Sequence, residues 1–428
     1  MLLGIDVSTY FEEEKEGAKY FIDGQEIDLL HAFRNNGVSL MRIRIWNQPY
    51  AEDGRPYLGG TCDVDNFIKL AKKAMTYGYR ILIDFHYSDF WADPDRQRSP
   101  REWESLIPSE IPDAIQEYTA KSLKAFKDEG ITVDAVQIGN EINNGLAGYD
   151  INWSSQDASF DQMANMLKAG VKGAKEVLLK AKAENIDIPF IQVGNEITNG
   201  MIWPYGKTYN DETGKMDYTG LATLLKAGFK AAREVYPSIN RVVHLERSYD
   251  QDKYREYFDN ITTLGVEFET IGLSFYPHWH GLPEMIFANI DMLIERYHKE
   301  IIIMELGYGF TLVDYLPDEN GEESHLILNG NEEFVKRMPY PITKEGQKDF
   351  IELVLRESKK RNLTAVCYWE PCWIPIGRKI CWASEAAEEY TGDVGKDTRN
   401  EWANQCLFDY QGNALPAFFS FKLGEEDD

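Results

Sequence analysis

Three glutamates in this sequence each follow a short β-branched or apolar run, and glutamates of this kind can serve as acid, base or nucleophile. They are Glu141 in QIGNEINNG, Glu196 in QVGNEITNG and Glu305 in IIIMELGYG. Two such carboxyls about 5–5.5 Å apart across a cleft can cleave a glycosidic bond with retention of configuration. An asparagine precedes Glu141 and Glu196, and its amide could hold a sugar 2-hydroxyl. The same pattern also fits ordinary surface carboxylates at strand ends.

Aromatic side chains are abundant, with 10 Trp and 24 Tyr among 428 residues, and many tryptophans follow predicted strands. A flat apolar ring with a polar edge suits the apolar face of a pyranose, but it also suits a protein core. Core packing is the better interpretation for most of these tryptophans. Trp91, Trp203 and Trp279, which are flanked by Asp, Pro, His or Gly, are predicted to stack on sugar rings.

Short β-branched segments alternate with longer amphipathic segments, which indicates parallel strands joined by helices. No linker divides the chain, so we predict a single catalytic domain over 1–428. Polar and aromatic residues crowd the ends of the predicted strands, where a (β/α)8 TIM barrel places its active site. An open doubly wound sheet would need a glycine-rich first turn, which GIDVS lacks. The predicted strands are 3–7, 40–46, 80–86, 133–140, 189–195, 241–245, 268–275, 300–305 and 364–369, and the helices 64–77, 117–128, 161–183, 219–236, 251–264, 284–299 and 344–360.

Nine predicted strands are one more than such a barrel holds, and an internal repeat explains the surplus. QIGNEINNG recurs 55 residues later as QVGNEITNG, and MLKAGVKGAKEV recurs 58 residues later as LLKAGFKAAREV. We interpret 133–188 and 189–240 as a duplicated strand-4/helix-4 unit, natural or recombinant. Barrel size and shear are linked to strand number, so a ninth strand is costly. We therefore expect one copy in the barrel and the other displaced from it, or a poorly determined region.

Charge and cysteine content exclude several classes of function. Lys and Arg total 45 against 71 Asp and Glu, a net charge of −26 that disfavours nucleic-acid and membrane-surface partners. No stretch approaches the ~18 apolar residues of a spanning helix. Five scattered cysteines without a CxxC pair indicate free thiols and no zinc site. The first residues carry no signal peptide, so we expect a cytoplasmic protein or a secreted one already stripped of its signal.

Several long motifs resemble glycoside hydrolase family 53, the arabinogalactan endo-β-1,4-galactanases. The likeness runs in order from residue 2 to about residue 422. It implies an eight-stranded (β/α) barrel with an acid/base on strand 4, a nucleophile on strand 7 and no cofactor. The motifs are MRIRIWNQPY (41–50), LIDFHYSDFWADP (82–94), the two NE repeats with MIWPYG (201–206), IGLSFYPHWHG (271–281), CYWEPCWIP (367–375) and EWANQCLFDYQGNALPA (401–417).

The resemblance assigns roles to individual residues. Glu305 matches the nucleophile, although Leu306 stands where the family commonly has Thr. Arg44 is expected to hold that carboxylate ionised and Tyr276 to donate a hydrogen bond to it, with Trp369 under the sugar ring. Asp84 and His86 have the same parity on one strand and should both face the mouth, although His86 is also compatible with a buried structural role. The further substrate contacts implied are Trp91, Asn140, Asn195, Trp203, Trp279 and His280.

Two glutamates match the acid/base position. Counting strands from Asp84 selects Glu141, whereas counting back from Glu305 selects Glu196, and the two counts have equal weight. Choosing Glu141 places the inserted unit on the loop face, which tolerates additions better. The Trp203–Pro204 pair that follows Glu196 gives it the longer family match. The context favours Glu196, and both remain candidates.

The resemblance implies a retaining endo-galactanase that acts on β-1,4-galactan without a cofactor. We expect a monomer. Two alternatives stay open: a related β-glycanase acting on another polysaccharide, and a galactan-binding protein inactivated by the duplication. The negative charge fits neutral galactan better than acidic pectin. Some relatives hold calcium in the loop after strand 7; here that loop, 309–340, fits a solvated acidic surface equally well, and we predict no metal. Its acidic residues are Asp314, Asp318, Glu319, Glu322 and Glu323.

Overall fold

Nine parallel strands close into a barrel in the computed structural model, which describes residues 1–150, 160–175, 190–316, 325–377, 381–392 and 399–424. Each strand pairs with its neighbours in chain order, and the last pairs with the first. The strands are β1 (Leu2–Asp6), β2 (Val38–Ile45), β3 (Arg80–Phe85), β4 (Ala135–Ile138), β5 (Phe190–Val193), β6 (Asn240–Leu245), β7 (Thr270–Phe275), β8 (Glu300–Leu306) and β9 (Ala365–Tyr368).

The predicted α/β barrel is confirmed, but the expectation that one repeated strand lies outside it is wrong. β4 and β5 are neighbours within the barrel, paired from Ala135 against Phe190 to Ile138 against Val193. On its other edge β4 pairs with β3, and β5 pairs with β6. The reason is that a displaced strand would leave its backbone N–H and C=O groups unpaired and its apolar face uncovered. Pairing the two copies in register satisfies both requirements.

Helices cover the outside of the barrel, and several have their N-terminal N–H groups capped by acidic or hydroxyl side chains. Asp63, Asp250 and Thr343 each accept a hydrogen bond from a main-chain N–H of the first turn. Of the predicted helix 161–183, residues 176–183 lie outside the described ranges. Helices of seven or more residues are α1 (Tyr10–Glu16), α2 (Leu29–Asn35), α3 (Val64–Thr76), α4 (Ile111–Asp128), α5 (Phe160–Gly173), α6 (Thr219–Val235), α7 (Gln251–Thr263), α8 (Pro283–Tyr297), α9 (Lys344–Lys360) and α10 (Glu385–Thr391).

Short hairpins and short helices lie in the connections between the larger elements. Two hairpins follow β5, and one follows β4. The hairpins pair Phe21–Ile22 with Gln25–Glu26, Gly145–Leu146 with Tyr149–Asp150, Gly200–Met201 with Gly206–Lys207, and Tyr209–Asn210 with Lys215–Met216; the short helices are Arg101–Trp103, Pro277–His280, Glu332–Arg337, Ala403–Gln405, Pro416–Phe419 and Ser420–Gly424.

Two apolar regions stabilise the fold. The larger lies between the strands and the surrounding helices. The smaller fills the N-terminal end of the barrel, where Leu40, Leu82 and Phe190 pack among residues from other strands. Toward the C-terminal end, inward-facing residues become polar, as expected where a barrel opens into a site. All five cysteines are free and buried, in agreement with the sequence analysis.

Among the helices that the structure describes, none is both long enough and apolar enough to cross a lipid bilayer.

Candidate active site

A cleft opens at the C-terminal ends of the strands, and most of the predicted site residues line it. Asn195 and Trp203 are the two that do not. The predicted residues that line it are Arg44, Asp84, His86, Trp91, Asn140, Glu141, Glu196, Tyr276, Trp279, His280, Glu305 and Trp369.

Glu305 ends β8 beside a positive charge and a phenol. Its Oε1 accepts a hydrogen bond from Arg42 Nη1 at 3.2 Å, and its Oε2 accepts one from the Tyr276 hydroxyl at 3.0 Å. Burial raises the pKa of Glu305 above its ordinary value, and the Arg42 guanidinium and the Tyr276 hydroxyl oppose that rise. These two donors favour the ionised carboxylate, the form that a nucleophile requires.

Arg42 makes the contact that we had expected of Arg44, so that expectation is wrong. Arg44 Nη1 instead bonds Glu370 Oε1 at 2.7 Å, and its guanidinium lies 4.1 Å from the Trp91 ring centroid. The two arginines share one face of β2, and alternation alone does not say which one lies level with Glu305. The strand tilt of the closed barrel decides this depth. The sequence analysis did not identify Arg42 as the partner of Glu305, although it lies on the same face of β2.

Glu196 follows β5 and lines the cleft with a partly buried carboxylate. Its Oε1 accepts a hydrogen bond from the Ser274 hydroxyl at 2.5 Å. Burial holds the pKa of Glu196 well above its ordinary value, and the negative charge of Glu305 adds to the effect. A raised pKa favours the protonated carboxyl, which is the form that a general acid needs.

Glu141 occupies the equivalent position after β4 and lines the same cleft. Both glutamates have left-handed backbone conformations, with φ of 44° at Glu141 and 52° at Glu196. Burial, followed by the charge of Glu196, holds the pKa of Glu141 well above its ordinary value. Its hydrogen bonds run through the main chain, whose N–H donates to Asn195 Oδ1 at 2.5 Å. The two repeats are therefore bonded to each other at the cleft.

The two asparagines of the repeats differ in their surroundings. Asn195 is only 1% exposed, and its Oδ1 is occupied by the main chain of Glu141. Asn140 lines the cleft and donates from Nδ2 to the Ala92 carbonyl at 2.8 Å. Of the two, Asn140 is the one presented to the cleft.

Asp84 and His86 lie together in the wall of the cleft. Asp84 Oδ2 accepts from Arg42 Nη2 at 3.0 Å and lies 3.4 Å from His86 Nε2. His86 Nδ1 accepts from the indole N–H of Trp46. Burial lowers the pKa of His86, which Asp84 only partly offsets. His86 therefore combines a place in the cleft with a structural contact.

His280 is also buried in the wall, close to the main chain of Ser274. Burial lowers the pKa of His280 to about 4, so it is neutral near pH 7.

Tryptophans form one wall of the cleft. Trp91, Trp369 and Trp382 contact one another, and Trp402 meets Trp369 edge-to-face at 4.6 Å between centroids. Trp279 is 40% exposed at the rim. Trp382 and Trp402 also line the cleft, and the sequence analysis did not single out either ring as a substrate contact.

Trp203 lies outside the cleft lining, which differs from its predicted role. Its indole N–H donates to the Asn199 carbonyl, and Lys207 Nζ lies 4.9 Å from its ring centroid. The turn after β5 directs the ring toward its own loop.

A family model described as Glycosyl hydrolase family 53 matches residues 2–183 and 174–421. The chain belongs to this family. Family 53 membership makes it a glycoside hydrolase, and it accounts for a cleft that combines paired carboxylates with a tryptophan wall. The two matched ranges overlap at residues 174–183, between the two NE motifs.

Several known proteins match nearly the whole chain. An uncharacterized protein of Niallia circulans is 32% identical over 100% of this chain and 95% of its own length. An endo-beta-1,4-galactanase of Bacillus subtilis (strain 168) is 27% identical over 99% of this chain and 85% of its own. The GH53 catalytic domain of Ignisphaera aggregans superposes with a TM-score of 0.69 at 31% identity, covering 99% and 96% of the two chains.

Metal-ligating side chains do not converge in the part of this family 53 chain that the structure describes. No group of three or more His, Cys, Asp or Glu there could hold an ion. In the loop after β8, Asp314 accepts from main-chain N–H groups of Leu316 and His325. The remaining acidic residues considered for calcium, Asp318, Glu319, Glu322 and Glu323, lie outside the described residues.

Proposed function

We propose that this chain is a retaining endo-β-1,4-galactanase with Glu305 as nucleophile and Glu196 as acid/base. One observation carries the proposal: two carboxyl groups line one cleft, and one of them, Glu305, is hydrogen-bonded to a guanidinium. Glu305 accepts hydrogen bonds from Arg42 and Tyr276, whereas burial and the charge of Glu305 hold the pKa of Glu196 well above its ordinary value. Carboxyls whose surroundings separate their pKa values are suited to opposite roles.

In the first step, Glu305 Oε attacks the anomeric carbon and forms a glycosyl–enzyme ester as the C1–O bond to the leaving sugar breaks. Glu196 gives its proton to the departing oxygen. In the second step, ionised Glu196 takes a proton from water, the water oxygen attacks C1, and Glu305 leaves as a carboxylate. Each turnover thus returns both glutamates to their starting states.

The substrate assignment rests on the named relatives and on charge. Relatives from Bacillus subtilis and Cellvibrio japonicus, which match 99% and 98% of this chain, are named as endo-β-1,4-galactanase and arabinogalactan endo-β-1,4-galactanase. A chain with net charge −26 is better matched to neutral galactan than to an acidic polysaccharide. We further propose that the enzyme is a monomer without nucleic-acid or membrane partners; its compartment, cytoplasmic or secreted, stays a prediction.

Reducing-end release from linear β-1,4-galactan tests the proposal, with mannan, xylan and cellulose as parallel substrates. We expect release from galactan alone, and an initial product mixture of several chain lengths, because an endo-acting enzyme cuts within the chain. Turnover of another polysaccharide in preference to galactan would identify a different β-glycanase. A folded protein that binds galactan but releases no ends would mean that catalysis has been lost.

A further inference from the structure

A row of buried polar side chains crosses the barrel directly beneath the cleft. It consists of Gln137 on β4, Gln192 on β5, His244 on β6 and Ser274 on β7, each at most 1% exposed. None of the four lines the cleft itself. Buried polar groups cost free energy unless they are hydrogen-bonded, so their partners define what the row does.

One end of the row holds the arginine that supports the nucleophile. Arg42 Nη2 donates to Gln137 Oε1 at 3.0 Å, while its Nη1 donates to Glu305. Gln192 Nε2 donates to the same Gln137 oxygen at 3.1 Å. The two glutamines are equivalent positions of the repeat, and they are paired in register across β4 and β5.

The other end reaches the acid. Gln192 Nε2 lies 3.4 Å from His244 Nδ1, and His244 Nε2 lies 2.9 Å from Ser274 Oγ. Ser274 Oγ in turn lies 2.5 Å from Glu196 Oε1. The row is therefore continuous from Arg42 to Glu196.

The chemistry of these groups determines the direction of each hydrogen bond. An amide nitrogen only donates, so the Gln192 NH2 group requires His244 Nδ1 to accept. In the neutral imidazole the proton then resides on Nε2, which donates to Ser274 Oγ. The single hydroxyl proton of Ser274 is left for Glu196. His244 stays neutral because burial, Arg42 and His280 hold its pKa well below its ordinary value.

We propose that Gln192, His244 and Ser274 form a chain of hydrogen bonds, the relay, in which each group donates to the next and the Ser274 hydroxyl donates to Glu196 Oε1. Glu196 Oε2 is then the oxygen that carries the proton to the leaving group. An oxygen that already accepts the Ser274 hydroxyl is disfavoured as a site for the acidic proton, whereas Oε2 is left to the cleft. The three residues are positioning residues, since they act through Glu196. The inference rests on the proposed function, in which Glu196 is the acid/base.

Removing the Ser274 hydroxyl gives the most direct test. In Ser274→Ala the carboxylate loses a donor, which favours its protonated form and frees both oxygens to carry the proton. We expect the alkaline limb of the kcat/KM profile on galactan to move up by about one pH unit, with kcat lowered about tenfold and KM little changed. Ser274→Thr, which keeps the hydroxyl, should restore the wild-type profile.

Two further variants separate the relay from general disturbance. Ser248→Ala removes an equally buried hydroxyl that bonds the Ser274 carbonyl at 2.6 Å, and it should leave the alkaline limb in place. Gln192→Leu releases His244 Nδ1 and should move the limb in the same direction as Ser274→Ala, by less. Other charged or titratable groups facing Glu196 are unchanged in all variants: Arg42, Glu141, Glu246, Tyr254, Tyr276 and Glu305.

Infrared difference titration of the carboxyl groups provides a reading that does not need turnover. Wild type minus Glu196→Gln identifies the Glu196 band, and Ser274→Ala should shift its titration to higher pH. If wild type is inactive on galactan, the proposed function fails while this reading still tests the relay. Profiles and titrations of Ser274→Ala that coincide with those of wild type would overturn the relay, as would a Gln192→Leu variant without any shift.

Discussion

Arg42 and Arg44 show how closely spaced residues acquire different partners. The two lie two residues apart on β2, yet Arg42 forms ion pairs with Glu305 and Asp84 while Arg44 forms one with Glu370. Burial raises the pKa of Glu370 to about 7, and Arg44 opposes that rise. One guanidinium is therefore paired with the reacting carboxylate of Glu305, and the other with the fully buried carboxylate of Glu370.

Arg42→Lys should shift the acidic limb of the pH–rate profile. A single ammonium cannot contact Glu305, Asp84 and Gln137 together as the planar guanidinium does. Because Arg42 lowers the pKa of Glu305, its loss raises that pKa, and activity disappears at a higher pH as the solution is acidified. The measurement is kcat/KM for galactan against pH. Arg44→Lys is the matched control, and an equal shift in both variants would contradict a specific role for Arg42.

Glu196→Gln and Glu141→Gln should have very different effects, although both positions line the cleft. An amide keeps the shape but cannot supply the proton, so we expect Glu196→Gln to lower kcat on galactan by about 10²–10⁴-fold. Glu141→Gln should retain activity within about tenfold. With an aryl galactoside whose leaving group needs no proton, the first step should survive in Glu196→Gln. The opposite ranking of the two variants would make Glu141 the acid/base.

The loops that follow the two repeated strands, β4 and β5, are hydrogen-bonded to each other. Asn143 donates from Nδ2 to the Glu196 carbonyl at 3.1 Å and to the Gly200 carbonyl at 3.2 Å. Main-chain bonds from Ile202 to Ile142 and from Trp203 to Asn143 join the same loops. The backbone that presents Glu196 is thus held by the loop of the other copy.

Asn143→Ala should destabilise the fold and impair catalysis together. One buried and one partly buried carbonyl lose a donor, which we expect to lower the free energy of unfolding by about 1–3 kcal/mol. Freed backbone around Glu196 should also lower kcat. Denaturant unfolding and galactan kinetics measure the two effects. Asn144→Ala removes the amide that donates to the Pro94 carbonyl and should lower stability without the same loss of kcat. Equal kcat in both variants would argue against a catalytic role for the hydrogen bonds between the β4 and β5 loops.

At the scale of the whole molecule, the barrel accommodates a ninth strand because the two repeated strands offer the same pairing pattern. Ala135, Val136, Gln137 and Ile138 pair with the equivalent residues of the second copy without a register shift. Each copy also pairs with a flanking strand on its other edge, β4 with β3 and β5 with β6. The copies are therefore interchangeable as far as backbone hydrogen bonding is concerned.

Deleting residues 138–192 should leave a folded enzyme with eight barrel strands. Joining Gln137 to Val193 makes one strand that pairs with β3 through its first half and precedes the Glu196 loop. We expect cooperative thermal unfolding by circular dichroism and measurable galactan hydrolysis, with kcat lowered because the deletion also removes Asn143. The same deletion carrying Glu196→Gln should be folded and inactive. Aggregation or non-cooperative unfolding of the deletion variant would show that the molecule depends on its ninth strand.

The sequence alone determined the barrel class, the nucleophile candidate and the two acid candidates. Hydrophobic alternation and strand–helix spacing are local properties, so they can be read from the order of residues. The motifs around Asp84 and Tyr276 likewise placed most of the cleft lining correctly in one region, since the ends of parallel strands converge at one face of a barrel.

Which side chains contact one another depends on the folded barrel. The choice of Arg42 over Arg44 depends on strand tilt, and the burial of Asn195 depends on how the two repeats pack. Both repeated strands lie in the barrel because the backbone hydrogen bonds along their edges form only when the whole sheet is assembled. The row from Gln137 to Ser274 joins four strands far apart in sequence, and such long-range contacts leave no trace in local periodicity.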